Sequence, residues 1–171
     1  MAEDDTYARG YATSRTLDPA LRFDYEPLFD LLRSWNEWRG ERAMPTRSDF
    51  APTDLKGHLG WVALIDVQHD PVRFRFRLIG ADIATGLSRD SSGKYLDDVY
   101  GPEFYETSIG SYRWILEYGK PLRAFGTMVH AKRGPVRFES LDLPFSSDGR
   151  TIDMIMKRVR FSRMNNLDQN S

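Results

Sequence analysis

Two periodicities of apolar residues organise this chain, one typical of strands and one typical of helices. Residues 73–80, RFRFRLIG, alternate strictly between arginine and apolar side chains. A period of two is the pattern of a strand with one buried and one exposed face. The pattern therefore predicts a strand with Phe74, Phe76 and Leu78 facing the core.

Four further segments are rich in β-forming residues and are separated by turn residues. The turns include Ser146-Ser147-Asp148-Gly149, in which Asp-Gly is a strong hairpin signal. The pattern predicts five strands, which form an antiparallel sheet. Their ranges are 61–67, 73–80, 122–131, 136–145 and 151–161.

Helical spacing of apolar residues appears before and inside this set of strands. Residues 24–39 predict an amphipathic helix that Asp24 caps. Short helices are expected between Gly80 and Gly101, and one longer helix over residues 102–118. Two strands, then helices, then three strands give an α+β fold with the helices on one sheet face and a cleft beneath them.

The two ends of the chain are polar and show no clear period. We interpret residues 1–23 as a flexible N-terminal arm and residues 162–171 as a polar tail. Residues 24–161 then form a single domain, which includes the helix at 24–39 and suits a chain of 171 residues.

Composition narrows the classes of function. The formal net charge is -1, which gives no reason to expect nucleic-acid binding. The N-terminus lacks the layout of a secretory signal, and no apolar run is long enough to span a bilayer. We therefore expect a cytoplasmic protein that does not insert into a membrane. There is no cysteine, so disulfides and thiol nucleophiles are impossible.

Several short motifs, in order, closely resemble a group of short bacterial stand-alone PAS-domain proteins that lack an output domain. The likeness covers about residues 25–161 and departs from the family at Ser88, where glycine is expected, and at Phe145, where leucine is expected. It implies the PAS fold and a sensory or adaptor role. The motifs lie at residues 42–50, 73–80, 88–93 and 143–150.

The chemistry of cofactors and catalysis can be tested against the residues. An adduct-forming flavin needs a cysteine thiol, so it is excluded, whereas the identity of any other cofactor stays open. Haem needs an axial ligand, and a lone histidine on a strand, such as His130, is more often an ordinary structural residue. Phosphate-binding, nucleophile-elbow and zinc motifs are missing, so we expect neither an enzyme nor a metal site.

Two groups of residues are candidates for binding. The alternation and the helix stripes predict that the cleft is lined by Phe76, Leu78, Ile83, Leu87, Tyr95, Tyr112, Met128, Phe138 and Met154. The apolar stripe of the N-terminal helix predicts either packing on its own domain or a dimer contact through Leu28, Leu32, Trp35 and Trp38. The arginine row at 73, 75 and 77 is either a solvated strand face or a partner contact.

Three functions follow from these residues. The first is a sensory module, expected as a homodimer, that binds a small molecule in the cleft and relays this to a signalling protein. The second is a ligand-free adaptor that acts through the N-terminal helix and the outer sheet face. The third is a cone-shaped isomerase or hydratase, which needs Asp142 or His130 in the cavity with a partner carboxylate.

Overall fold

The computed structural model describes residues 11–86 and 91–164. Its strands are β1 (Tyr11–Ala12), β2 (Thr16–Asp18), β3 (Val62–Gln68), β4 (Arg73–Ile79), β5 (Leu122–His130), β6 (Gly134–Phe145) and β7 (Met154–Arg163). Its helices are α1 (Glu26–Arg39), α2 (Ala81–Gly86), α3 (Leu96–Val99), α4 (Pro102–Ser108) and α5 (Gly110–Tyr118), and three single-turn 3-10 helices connect α1 to β3. No helix of the described residues is both long and apolar enough to cross a membrane.

All strands belong to one antiparallel sheet. Six of them follow the order β1-β5-β6-β7-β3-β4, and β2 pairs with β5 next to β1. The five predicted strands correspond to β3–β7, so the predicted count of five is wrong by β1 and β2. These two elements are only two and three residues long. Segments of two or three residues are too short to show an alternation of apolar and polar side chains.

The segment that contains β1 and β2 (residues 11–18), called here the N-terminal strap, lies along the edge of β5. Arg123 on β5 donates hydrogen bonds to the carboxylates of Asp18 (3.2 Å), Asp24 (3.0 Å) and Glu139 (2.7 Å). The described part of the predicted flexible arm is therefore paired and anchored. Residues 1–10 and 165–171 lie outside the described residues, and β7 extends into the predicted polar tail.

Asp24 does not cap the first helix. The cap position is taken by Tyr25, whose side chain makes no capping hydrogen bond. The carboxylate of Asp24 is instead hydrogen-bonded to Arg123. Asp24 is a suitable capping residue, but its carboxylate binds the buried guanidinium of Arg123 and not the backbone N–H groups of the helix.

Helix α1 packs on the sheet face opposite the other helices. Its buried residues are Leu28, Leu31, Leu32 and Trp35. The indole N–H of Trp35 donates to the backbone oxygen of Pro144 (2.9 Å), and Trp38 stacks on Phe50 with ring centroids 5.0 Å apart. The predicted contact residues Leu28, Leu32, Trp35 and Trp38 thus pack within the domain, as the first of the two alternatives predicts, and a dimer contact through this helix stays a prediction.

The predicted helix over residues 102–118 is two helices. α4 ends at Ser108 and α5 begins at Gly110, with Ile109 between them at ψ 0°. Glycine is a poor helix former because it loses more backbone freedom than other residues. The apolar stripe continues through the break, so periodicity alone could not reveal it.

The strand pair β3–β4 contains a register shift between Leu64 and Ile65. Phe74 and Phe76 are buried, as the alternation predicts, but Leu78 is 43% exposed. A bulge inserts an extra residue into one strand and so reverses which residues face inward beyond it. The predicted inward orientation of Leu78 is therefore wrong.

Candidate functional site

A cavity of about 90 Å³ lies between the sheet and the helices α2–α5. The strands contribute Ala63, Phe76, Met128, Phe138, Lys157, Val159 and Phe161 to its wall. The helices and their connections contribute Ile83, Leu96, Tyr100, Phe104, Ser108 and Tyr112, and the N-terminal strap contributes Ala12 and Arg15. Every layer on this side of the sheet therefore touches one space.

Five of the nine predicted cleft residues lie on this wall, namely Phe76, Ile83, Tyr112, Met128 and Phe138. The alternation of the strands or the apolar stripe of a helix places each of these five residues between the sheet and the helices. Leu87 lies outside the described residues. The remaining three are elsewhere in the fold.

Leu78, Tyr95 and Met154 do not line the cavity. Leu78 points to solvent beyond the bulge. Tyr95 lies at the far edge of β4, where its hydroxyl donates to Gln68 Oε1 (2.8 Å) and its ring lies under the Arg73 guanidinium. Met154 is the first residue of β7 and pairs with Phe145, which contacts Trp38 of α1. Met154 was assigned to the wrong face, because Lys157, Val159 and Phe161 of β7 line the cavity and Met154 is an odd number of residues from each of them.

Aromatic rings build much of the helical wall. The rings of Tyr100 and Phe104 meet edge to face with centroids 4.4 Å apart, and Tyr100 also meets Phe76 at 6.2 Å. Tyr112 packs against Phe74, with ring centroids 5.3 Å apart. Edge-to-face contacts are the favoured geometry of such rings. A rigid apolar wall results, which suits a ligand with an apolar body.

A buried ion pair lies beside the cavity, with Lys157 on the wall and Asp142 behind it. Lys157 Nζ donates to Asp142 Oδ1 (2.9 Å), and Asp142 is fully buried. The ammonium also lies 5.4 Å from the centre of the Tyr112 ring. Burial lowers the pKa of Lys157, the Asp142 carboxylate raises it, and the Arg15 guanidinium lowers it further. Burial, reinforced by Asp142, raises the pKa of Tyr112, so its phenol is neutral at physiological pH.

The N-terminal strap brings a second cation to the same wall. Arg15 is half-buried, and its guanidinium carbon lies 5.0 Å from the centre of the Phe138 ring. Its Nε and Nη1 atoms are buried and have no hydrogen-bond partner among the described residues. Because an arginine is charged at any physiological pH, this wall carries a positive charge.

Sequence reasoning missed Arg15 and Lys157. Lys157 lies at an even spacing from Val159 and Phe161 on β7, so strand alternation could have placed it inward once their orientation was known. Asp142 lies four residues from Phe138 on β6 and shares its face by the same rule. No signal in the sequence could have found Arg15, because its position depends on the pairing of the N-terminal strap with β5.

The histidines lie away from the cavity wall. His130 is buried, its ring meets that of Phe161, and its Nδ1 accepts the backbone N–H of Lys132 (3.1 Å). Burial lowers the pKa of His130. His58 contacts the Arg158 guanidinium, and His69 contacts the backbone oxygen of Ile152. Within the described ranges no three histidine or acidic side chains form a group able to hold a metal ion.

Asp142 is paired with an ammonium group and not with a carboxylate. The isomerase hypothesis needed a carboxylate partner for Asp142 or His130 inside the cavity, and neither residue is on the cavity wall. Among the described residues, the carboxylate pair that this hypothesis needs at Asp142 or His130 is therefore not formed in the cavity.

The arginine row on β4 pairs with acidic residues on its own side of the sheet. Arg73 binds Asp97 through two hydrogen bonds (2.8 and 2.9 Å), and both Arg75 and Arg77 bind Asp66. These contacts favour the interpretation of the row as a solvated strand face, since exposed pairs of this kind contribute little to stability or affinity.

Comparison with models of protein families finds a match, over residues 24–156, to the family described as "PAS domain". The match covers α1, β3–β6 and the helices above the cavity but ends within β7. It begins after the N-terminal strap, so Arg15 lies outside the matched region. A search of the curated proteins found no match to the chain.

Proposed function

The chain belongs to the PAS domain family and is a sensory or signalling module, and on that premise we propose that it binds a small molecule in the cavity between the sheet and α2–α5. Binding is relayed to a partner protein by contacts at the domain surface. The chain acts as a homodimer and without catalysis.

The observation that carries this proposal is the cavity itself. It is walled mainly by apolar and aromatic side chains with a few polar groups, which is the usual composition of a small-molecule site. A molecule inside it would touch β4, β6, β7 and four helices together. Binding would therefore change the spacing between these strands and helices, and this change can act as the signal.

The sheet supplies a route from the cavity to the outer surface. On β6, Phe138 faces the cavity, whereas Phe145, an odd number of residues away, contacts Trp38 of α1 on the opposite face. A shift of β6 on ligand binding would move both layers. Phe29 on α1 is 48% exposed and offers an apolar contact for a partner.

Native mass spectrometry of the protein purified from producing cells tests the proposal. Ala63 is buried on the cavity wall, so Ala63→Leu fills part of the space, whereas Ala51→Leu adds the same atoms at an exposed site. We expect wild type and Ala51→Leu to carry a small additional mass that Ala63→Leu lacks. If none of the three proteins carries a mass beyond that of its own chain, the result would favour the ligand-free adaptor.

A further inference from the structure

Two cations, Arg15 and Lys157, lie on the cavity wall, and the carboxylate of Asp142 lies behind the wall and accepts from Lys157. Lys157 is partnered by Asp142, which leaves Arg15 as the cation without a counter-ion among the described cavity residues. Its contact with the face of Phe138 satisfies the flat side of the guanidinium, but the N–H donors lie in the plane at its edges. Two of these donors, Nε–H and Nη1–H, are buried without an acceptor.

Buried donors without an acceptor are rare, because each gives up its hydrogen bonds to water. Nε and Nη1 point to different edges of the guanidinium, so an anion at either edge gains a charge-assisted hydrogen bond. A carboxylate at either edge can accept from one of these two donors and from the Nη2 group that shares that edge. The described residues thus provide buried, charged hydrogen-bond donors that an anion could bind.

Resting on the proposed function, we infer that the ligand of the cavity is a small monocarboxylate whose charged group binds Arg15 and whose apolar body lies against the aromatic wall. The charges of Arg15, Lys157 and Asp142 sum to one positive charge, which a single carboxylate neutralises. A phosphate carries more charge than this site balances. The cavity of about 90 Å³ is smaller than the roughly 150 Å³ cavity that holds benzene, so the acid is short.

This assignment makes the N-terminal strap part of the binding site. Arg15 lies between β1 and β2, and Asp18 of the same segment is fixed by Arg123 through a 3.2 Å hydrogen bond. The strap therefore holds the guanidinium over the end of the cavity. Binding of an acid also couples the strap to the cavity wall, since both then contact one ligand.

Butyrate and its neutral analogue butyramide, which have the same shape, isolate the contribution of the charge. Each is titrated, at constant ionic strength and neutral pH, into ¹⁵N-labelled protein while the amide signals of Phe138 and Val159 are followed. The variants are Arg15→Gln, which keeps a polar side chain without charge, and Arg150→Gln, which removes an exposed arginine in the β6–β7 turn.

We expect the wild type to bind butyrate about tenfold more tightly than butyramide, as for one charge-assisted hydrogen bond. Arg15→Gln loses this preference and still binds butyramide, whereas Arg150→Gln keeps it. Arg15→Lys, which retains the charge, keeps part of the preference. Unchanged amide signals of Asp18 and of Ala124 on β5 report that the strap stays paired in each variant.

Two results would overturn the inference. If wild type binds acid and amide equally, the ligand is not selected by charge, while the proposed binding function stands. If Arg15→Gln keeps the full preference with its strap paired, Arg15 is not the anion-binding residue. Failure of the binding function itself is seen separately, as wild-type protein that carries no additional mass in native mass spectrometry.

Discussion

The ion pair between Lys157 and Asp142 shows how single residues shape the cavity. Asp142 is fully buried and the Lys157 side chain is 16% exposed. Removing both charges from water is costly, and the pair is tolerated because the ammonium donates to the carboxylate at 2.9 Å. Each charge therefore depends on the other.

A double-mutant cycle tests this dependence. Asp142→Asn or Lys157→Met alone leaves one buried charge without its partner, and we expect each to lower the free energy of unfolding by about 3–5 kcal/mol. The double variant removes both charges and should cost clearly less than the sum of the two. Urea denaturation gives the values, and additive single effects would show that the two charges do not interact.

Strand alternation predicted part of the site residue by residue. Phe76 and Phe138 were found because each lies in a regular run whose inward parity is fixed by apolar neighbours. Leu78 was misplaced because a bulge between Leu64 and Ile65 is not visible in the apolar pattern. Arg15 was not predicted, because its place depends on a strand pairing between residues more than 100 positions apart.

At the scale of elements, α1 is a structural layer of this domain. Its apolar stripe covers the sheet face opposite the cavity, where Trp35 is 3% exposed and bonded to the Pro144 backbone. The sequence predicted the stripe correctly as an amphipathic pattern, but it could not distinguish packing on the chain's own sheet from packing on a partner.

Replacement of Trp35 by alanine tests this role. The change leaves a large cavity beneath α1, so we expect a loss of about 3–5 kcal/mol in the free energy of unfolding, with no change in self-association of the folded protein. Phe29→Ala, at an exposed position on the same helix, serves as the matched control and should cost little stability. Chemical denaturation and sedimentation velocity measure the two effects. Loss of association at unchanged stability would show instead that Trp35 is a contact residue.

The long helix and the N-terminal arm were predicted less well than the strands. A stripe that continues through Ile109 concealed the division between α4 and α5. The arm was assigned no structure because β1 and β2 are stabilised by pairing with β5 and by Arg123, which are both long-range contacts.

At the scale of the whole molecule, one sheet separates a cavity layer from an α1 layer. β6 and β7 contribute side chains to both layers, so a shift of these strands would reach both. The order of elements was sufficient to predict this α+β architecture and the cleft, because short connections and antiparallel hairpins leave few other arrangements. The order of elements did not predict the charge of the cleft, which depends on where Arg15 and Lys157 lie.

The most direct test of the account is an NMR titration of the wild-type protein with the small molecule that raises its melting temperature most. The account predicts saturable shifts at the cavity residues Phe138 and Val159, together with shifts at Leu31 and Trp35 of α1 that follow the same binding curve. Shifts confined to surface residues, with the cavity amides unchanged at saturation, would contradict the claim that the cavity is a sensory site.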